Sequence, residues 1–435
     1  MLPSLLALML RKESMKPITV NAVGIPELSL RQLKAMLHVA KYQNLTRAAQ
    51  HLNRSQTAIT KAISDLETHL GVILFDRSST GMLPTIYATV LAARMEQVEA
   101  EFLAAGQAYL EFIKSTKSVK NISVFSMDIS YKRLASFIAL YDSKDISAAA
   151  KRLGITRAAI YNSIRQLEDI LDIKLFEREL NGVVSTSFSE ILARHFKLAF
   201  AEVRHAIEDI ASINGVTRGR VVIGTLPYTR SVLTPRAINR LLEAHPQLDI
   251  STVDGPYALL EASLRSGDLD FIVGATRAID QGKNLATEDL FGDRLAFIVR
   301  TGHPLQGQTN LTLSDLNDYG WVLPNKRTPA RQLFQEVLDK NNVSQPEHSV
   351  ETSSLSTIRG LLIESDRIAL LSEHQIYYEK KYGILSSLPI ELADTHRPIG
   401  VTMRAKTRLS PAAQLFLHAL RKIAEELAED QAIYS

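Results

Sequence analysis

The 435-residue chain is 46% apolar, carries a net charge of only +3 and contains no cysteine. Its length allows roughly two to four domains with packed cores. The missing thiols exclude disulfides, cysteine-type zinc sites, thiol nucleophiles and thiol redox switches. Charge is uneven: residues 1–218 hold 27 Lys+Arg against 21 Asp+Glu, and residues 219–435 hold 23 against 26. A mildly basic front half suits a polyanion partner.

Residues 1–27 read as an N-terminal tail. The apolar run Met1–Leu10 is too short to span a bilayer, and no other segment approaches a span. A pattern then begins that occurs twice, offset by 101 residues without a gap. The first copy has Leu45-Thr46-Arg47-Ala48-Ala49, Ala58-Ile59, Ile63, Leu66-Glu67, Leu70, Leu74-Phe75-Asp76-Arg77 and Gly81. The second has Ile146-Ser147-Ala148-Ala149-Ala150, Ala159-Ile160, Ile164, Leu167-Glu168, Leu171, Leu175-Phe176-Glu177-Arg178 and Gly182. A repeat that holds register this long is one supersecondary unit present twice.

Each copy reads as a winged helix-turn-helix. Leu30, Leu33, Met36-Leu37 and Ala40 recur at helical spacing, as do Tyr131, Leu134, Phe137-Ile138 and Tyr141. A second helix is expected over Thr46–Leu52 and Ser147–Leu153, with Thr46 as cap or phosphate contact. Ser55 and Thr156 then cap a third helix. Its buried stripe is Ile59, Ile63, Leu66 and Leu70 in the first copy. The outward face carries Gln56, Thr57, Thr60, Lys61 and Ser64, against Arg157, Ala158, Tyr161, Asn162 and Arg165 in the second copy. Gln and Asn can bond an adenine edge in bidentate fashion and Arg suits guanine, so both faces can read a major groove, with different preferences. A short strand, loop and return strand follow as a wing. Arg77 and Arg178 lie there, either near the DNA backbone or in ion pairs with Asp or Glu. A net +4 over residues 28–83 against +2 over 129–184 favours the first copy as phosphate binder. The expected DNA-facing set is Thr46, Arg47, Ser55, Gln56, Thr57, Thr60, Lys61, Arg77, Ser147, Thr156, Arg157, Tyr161, Asn162 and Arg165. The alternative is a helical module that binds protein, with one copy silent on DNA.

Leu91, Met95, Val98, Phe102, Tyr109 and Phe112 form an apolar stripe after the first copy. Phe188, Ile191-Leu192, His195-Phe196, Ala199, Val203, Ala206 and Ile210 form one after the second. From Gly219, strands and helices alternate, which predicts parallel α/β sheets. Ligands in such folds sit at the carboxyl ends of strands. The candidates there are Leu226, Pro227, Tyr228, Thr229, Asp254, Pro256, Tyr257, Ala275, Thr328, Pro329, Ser353 and Ser354. Their hydroxyls, helix amides and tyrosines suit a small polar or anionic ligand, although the same residue types also serve as turns and caps.

The run from Leu45 through Ser55-Gln56-Thr57-Ala58-Ile59-Thr60 to Leu74-Phe75-Asp76-Arg77 resembles the amino-terminal domain of LysR-type transcriptional regulators. The second copy departs from that pattern at Arg157, Tyr161 and Asp172. The resemblance implies a dimerising linker helix and a two-lobed effector domain shaped like a periplasmic binding protein. The strings Gly224-Thr225-Leu226-Pro227, Asp254-Gly255-Pro256-Tyr257 and Val350-Glu351-Thr352-Ser353-Ser354 resemble a subgroup that includes regulators of galactose- and other sugar-binding-protein genes and of aromatic-compound catabolism.

The expected fold is therefore α+β multidomain: two tandem winged helix-turn-helix domains with linker helices, then the two-lobed α/β effector domain. The expected boundaries are 28–85 and 129–187 for the heads, 86–121 for a helical connector and 188–214 for the linker helix. The effector domain takes 219–435, with lobe 1 at about 219–294 and 393–430 and lobe 2 at about 295–392. No cofactor or metal is expected beyond a small-molecule effector. The expected partners are double-stranded DNA, that effector, copies of the chain in a homodimer or homotetramer, and compatibly RNA polymerase. The expected location is cytoplasmic, without membrane association. No Gly-rich phosphate loop, HExxH, Gly-x-Ser-x-Gly or clear carboxylate pair points to an enzyme. Ligand binding between the lobes would shift their closure and, through the linker helices, the spacing of the heads and the DNA bend.

Overall fold

The computed structural model describes residues 26–78, 81–114, 122–179, 182–278, 284–326, 328–341, 343, 349–392, 395–405 and 407–434, without the side chains of Arg77, Ser78 and 430–434. The chain forms two compact units that divide between Arg218 and Gly219.

In the first unit, α1 (Leu30–Tyr42), α2 (Leu45–His51) and α3 (Gln56–Leu70) lead to a hairpin of β1 (Phe75–Ser78) and β2 (Gly81–Pro84). A long helix, α4 (Ile86–Phe112), follows. The same module then recurs as α5 (Tyr131–Ser143), α6 (Ile146–Leu153), α7 (Arg157–Leu171), β3 (Phe176–Glu179) and β4 (Gly182–Ser185), and a second long helix, α8 (Ser187–Ile213), ends it.

Capping residues set the helix starts. Ser55 Oγ accepts the Ala58 amide and Thr156 Oγ1 the Ala159 amide, each at 3.2 Å. The second helices begin one residue earlier than expected, at Leu45 and Ile146. Asn44 and Asp145 sit in extended backbone and accept the Arg47 and Ala148 amides at 3.0 and 2.6 Å. Thr46 and Ser147 are thus inside their helices rather than caps. Ile59, Ile63, Leu66 and Leu70 are buried, as are Ile160, Ile164, Leu167 and Leu171. Each such side chain contributes roughly 1.5–3 kcal/mol.

Retained positions tie helix to wing in both copies. Glu67 Oε1 accepts the Leu74 and Phe75 amides at 2.8 and 3.3 Å, and Glu168 Oε1 those of Leu175 and Phe176 at 2.8 and 3.4 Å. Gly81 and Gly182 both have φ of 140°, where a Cβ would meet the carbonyl oxygen of Gln43 or Lys144. Those carbonyls accept the Met82 and Val183 amides at 3.1 Å.

The helices α4 and α8 pack lengthwise and antiparallel. Tyr87 donates to Asn214 (2.7 Å) near one end, and the Tyr109 and Phe188 rings meet near the other (5.7 Å). The two apolar stripes face each other, so one continuous core runs through both modules and both helices. Phe112 lies outside it and is 46% exposed.

The second unit holds two five-stranded sheets among the described residues. One is built from β5 (Gly219–Thr225), β6 (Leu248–Asp254), β7 (Phe271–Ala275), β8 (Leu285–Asp293) and β14 (Arg397–Arg404). The other is built from β9 (Leu295–Arg300), β10 (Trp321–Leu323), β11 (Ser349–Glu351), β12 (Ile368–Ser372) and β13 (Leu385–Ser387). Their orders are β6-β5-β7-β14-β8 and β11-β10-β12-β9-β13.

The sheets are mixed rather than parallel throughout. In the first, β5 pairs parallel with β6 and β7, but β14 runs antiparallel to β7 and β8. In the second, β10 pairs parallel with β11 and β12, but β9 runs antiparallel to β12 and β13. The reason is the crossing between sheets: β8 leads directly into β9, and β14 carries the chain back. Helices cover the faces: α9 (Leu233–Ala244), α10 (Tyr257–Arg265) and the last helix (Pro411–Tyr434) on the first sheet, α11 (Pro329–Lys340) and α12 (Leu355–Ile363) on the second. Among the described residues no helix is long and apolar enough to cross a membrane.

Candidate nucleic-acid interface and effector cleft

The starts of α3 and α7 present the expected polar faces. Arg47, Ser55, Gln56, Thr57, Lys61, Thr156, Arg157, Tyr161, Asn162 and Arg165 are exposed, and Thr60 and Ser147 are half-buried. The Gln56 amide donates to Thr46 Oγ1 at 2.8 Å, and Thr60 Oγ1 donates to the Gln56 carbonyl at 3.0 Å. The two helices of the motif are thereby tied at the mouth of a shallow cleft of about 430 Å³, also lined by Ala49, Gln50, Asn53 and Arg54. Reading the sequence for outward residues of α3 alone missed Gln50, Asn53 and Arg54, which α2 and the turn contribute.

In the second copy the Arg178 guanidinium lies 5.2 Å from the centre of the Tyr161 ring, so wing and recognition helix touch directly. Arg165 reaches only 3.9 Å from Asp169, with both side chains exposed, and stays available to phosphate. The Arg77 side chain lies outside the described residues.

His38 distinguishes the first module, since the equivalent position in the second is Ala139. It is buried on α1 against Tyr42 and His51. Burial, reinforced by His51, Lys34 and Lys41 and opposed by Asp128, pushes it down to about 4. The unfolded chain titrates near 6.5, so it binds the proton that the fold refuses. Stability is therefore unaffected above pH 6.5 and falls by up to about 3 kcal/mol as the pH drops from 6.5 to 4. Unfolding curves across that window should show the loss, and His38→Ala should flatten it.

In the second unit the carboxyl ends of β5 and β12 meet. Tyr228 is buried, its ring 6.3 Å from Phe291 and 5.8 Å from His374, with the Arg397 guanidinium 5.4 Å from its centre. Buried Asp293 accepts from Ser372 Oγ at 2.8 Å and lies 3.5 Å from Arg397. Burial holds Asp293 above the usual carboxylate range, against the pull of Arg397 and Ser372, and burial beside Asp293 raises the Tyr228 phenol.

The other expected ligand residues are placed differently. Thr229 is buried and donates to the Val273 carbonyl at 3.0 Å. Asp254 accepts from Thr225 and pairs with Arg230 at 3.1 Å. Tyr257 stacks under Arg277, at 3.9 Å. Thr328 and Ser354 cap α11 and α12, with Pro329 in the first turn, and Ser353 is exposed. Leu226, Pro227 and Ala275 are half-buried and Pro256 is exposed at the head of α10. The expected set lacks Phe291, Asp293, Ser372, His374 and Arg397, which adjoin Tyr228 from segments far apart in sequence.

A hairpin-bearing helix-turn-helix front and a two-sheet rear unit define a transcription regulator with a ligand-binding domain. The model of bacterial regulatory helix-turn-helix proteins of the lysR family matches residues 30–89 and again 131–190. That of the LysR substrate binding domain matches 214–425. The chain is 34% identical to the HTH-type transcriptional regulator GalR of Pseudomonas putida over 400 residues, 92% of this chain and 98% of that protein. It is 30% identical to the HTH-type transcriptional regulator PcaQ of Agrobacterium fabrum over 299 residues, 69% of this chain and 96% of that protein. The solved structure of a full-length OxyR point variant from Pseudomonas aeruginosa shares the fold, with a TM-score of 0.53 and 21% identity over 68% of this chain and 95% of that one.

The chain belongs to the LysR family of transcriptional regulators. These relatives are regulators, not enzymes. The GalR match leaves only about 35 of the 435 residues of this chain outside it, fewer than either helix-turn-helix segment, so it extends into both.

Proposed function

We propose that both helix-turn-helix modules face DNA in one ligand-responsive regulator, acting in the cytoplasm as a homodimer or homotetramer. The observation that carries this reading is the second module's face. Arg157, Tyr161, Asn162 and Arg165 stand exposed on a helix held by the same cap and wing contacts as the first. Gln56→Ala should weaken binding at the cognate site by about 1–3 kcal/mol, read by gel-shift titration; an unchanged affinity removes Gln56 as a base reader. Arg157→Ala with Asn162→Ala should shorten the footprint. An unaltered footprint favours the second reading, a module that serves assembly, which the smaller net charge of that module supports.

The effector is a sugar, sugar acid or aromatic acid bound between the two sheets, where rings of Tyr228, Phe291 and His374 adjoin Arg397. A ligand at about 100 times its dissociation constant stabilises the domain by roughly 2.7 kcal/mol. A panel of these acids and sugars should therefore contain a compound that raises the melting temperature. A panel without any shift counts against these classes.

A further inference from the structure

We infer that the two modules of one chain form an internal pseudo-dimer, and that this single chain reads an operator of two unlike half-sites in inverted orientation. The evidence is a pair of reciprocal contacts. With the offset of 101 residues, His195 corresponds to Arg94 and Glu202 to Glu101. Arg94 Nη1 lies 2.8 Å from Glu202 Oε2, and His195 Nδ1 lies 2.7 Å from Glu101 Oε2. Applying the offset to one pair generates the other. Contact of i with j together with j with i is the signature of a two-fold interface, written here between α4 and α8 of the same polypeptide.

The surrounding core obeys the same relation. Leu91 and Leu192, Met95 and Phe196, Val98 and Ala199, and Phe102 and Val203 are equivalent, and all are buried. Because the chain itself covers these faces, they are not open to a second chain. One contact also selects the mixed pairing. Arg94 Nε reaches Asp209 at 2.8 Å, but the position equivalent to Asp209 on α4 is Ala108. Pairing α4 with another α4 would leave Arg94 without that carboxylate. A further ion pair, Lys34 to Asp128 at 2.7 Å, joins the first module to the segment leading into α5.

Two-fold related heads read half-sites in inverted orientation, and the operator mirrors the symmetry of the protein. Here the backbone relation is two-fold but the reading faces are not alike. Gln56, Thr60 and Lys61 stand where the second module has Arg157, Tyr161 and Asn162. The half-sites therefore share a spacing but not a sequence. Additional chains, held through other parts of the molecule, would add further pairs of half-sites.

This inference rests on the DNA-binding reading above, and two measurements on the full chain separate them. The chain has no native cysteine, so Tyr87→Cys with Asn214→Cys, or Lys34→Cys with Asp128→Cys, can be bridged by a short bis-maleimide. A bridged product at monomer mass on a denaturing gel is expected; a covalent dimer overturns the internal pairing. Selection from a random-sequence duplex library should return two unlike inverted half-sites, with Gln56→Ala flattening one and Arg157→Ala the other. A palindrome, or a motif flattened in both halves by Gln56→Ala, overturns the asymmetric operator. Failure to enrich any DNA overturns the DNA-binding reading, while the gel still decides the pairing.

Discussion

Replacing Arg94 by Met should destabilise the first unit by about 3–5 kcal/mol. Arg94 is 1% exposed and holds two carboxylates of the opposite long helix, Glu202 and Asp209, each at 2.8 Å. Burial works against its charge, but Asp209 and Glu202 hold its pKa above the ordinary value. Removing the guanidinium takes from two buried carboxylates the cation that holds them both, and much of their desolvation cost then weighs against the fold. Denaturant unfolding should register a lower midpoint. The triple variant Arg94→Met, Glu202→Gln, Asp209→Asn should recover most of the loss, since the buried charges are then gone together. If Arg94→Met alone unfolds at the wild-type midpoint, the ion cluster does not hold the helices.

Gly81→Ala should cost about 2–4 kcal/mol, combining backbone strain with overpacking. Its φ of 140° disfavours any L side chain, and a Cβ there would lie 2.5 Å from the Gln43 carbonyl oxygen. That oxygen is main chain, held by the left-handed end of α1 and bonded to the Met82 amide, so no rotamer change relieves the clash. The wing should loosen while α3 and its exposed polar face persist, and specific DNA affinity should fall with stability. Gly182→Ala should cost less, because the corresponding approach to Lys144 is 2.9 Å. The ranking of these two variants, measured by unfolding midpoint, tests the explanation; equal costs would contradict it.

Local chemistry made much of the front half readable. The stripe of Ile59, Ile63, Leu66 and Leu70 follows from helical periodicity, and Ser55 and Thr156 cap as their side chains require. Of the two roles expected for Thr46, cap or phosphate contact, the cap falls instead to Asn44, two residues earlier, which offers the same chemistry and sits in extended backbone. Glu67 and Glu168 were visible as repeated letters, but their bonds to the wing amides depend on a fold-back that spacing does not reveal. In the rear unit, alternation identified strands and helices but predicted parallel sheets. The antiparallel strands β8, β9, β13 and β14 arise where the chain crosses between sheets, a property of topology rather than of residue pattern. The ring cluster around Tyr228 draws on Phe291, His374 and Arg397, which no motif links to it.

The sequence by itself determined the repeated module, its cores, the Ser55 and Thr156 caps, and the two unlike polar faces at the starts of α3 and α7. Those features depend on contacts within a few turns of chain, where side-chain period and capping chemistry are sufficient. The tertiary structure decided what covers the two long apolar stripes. A stripe records that a face must be buried, but many apolar surfaces satisfy that demand equally. The choice of α8 over a second α4 is made by a contact without a counterpart in the repeat, Arg94 to Asp209, whose members lie 115 residues apart and whose equivalent on α4 is Ala108.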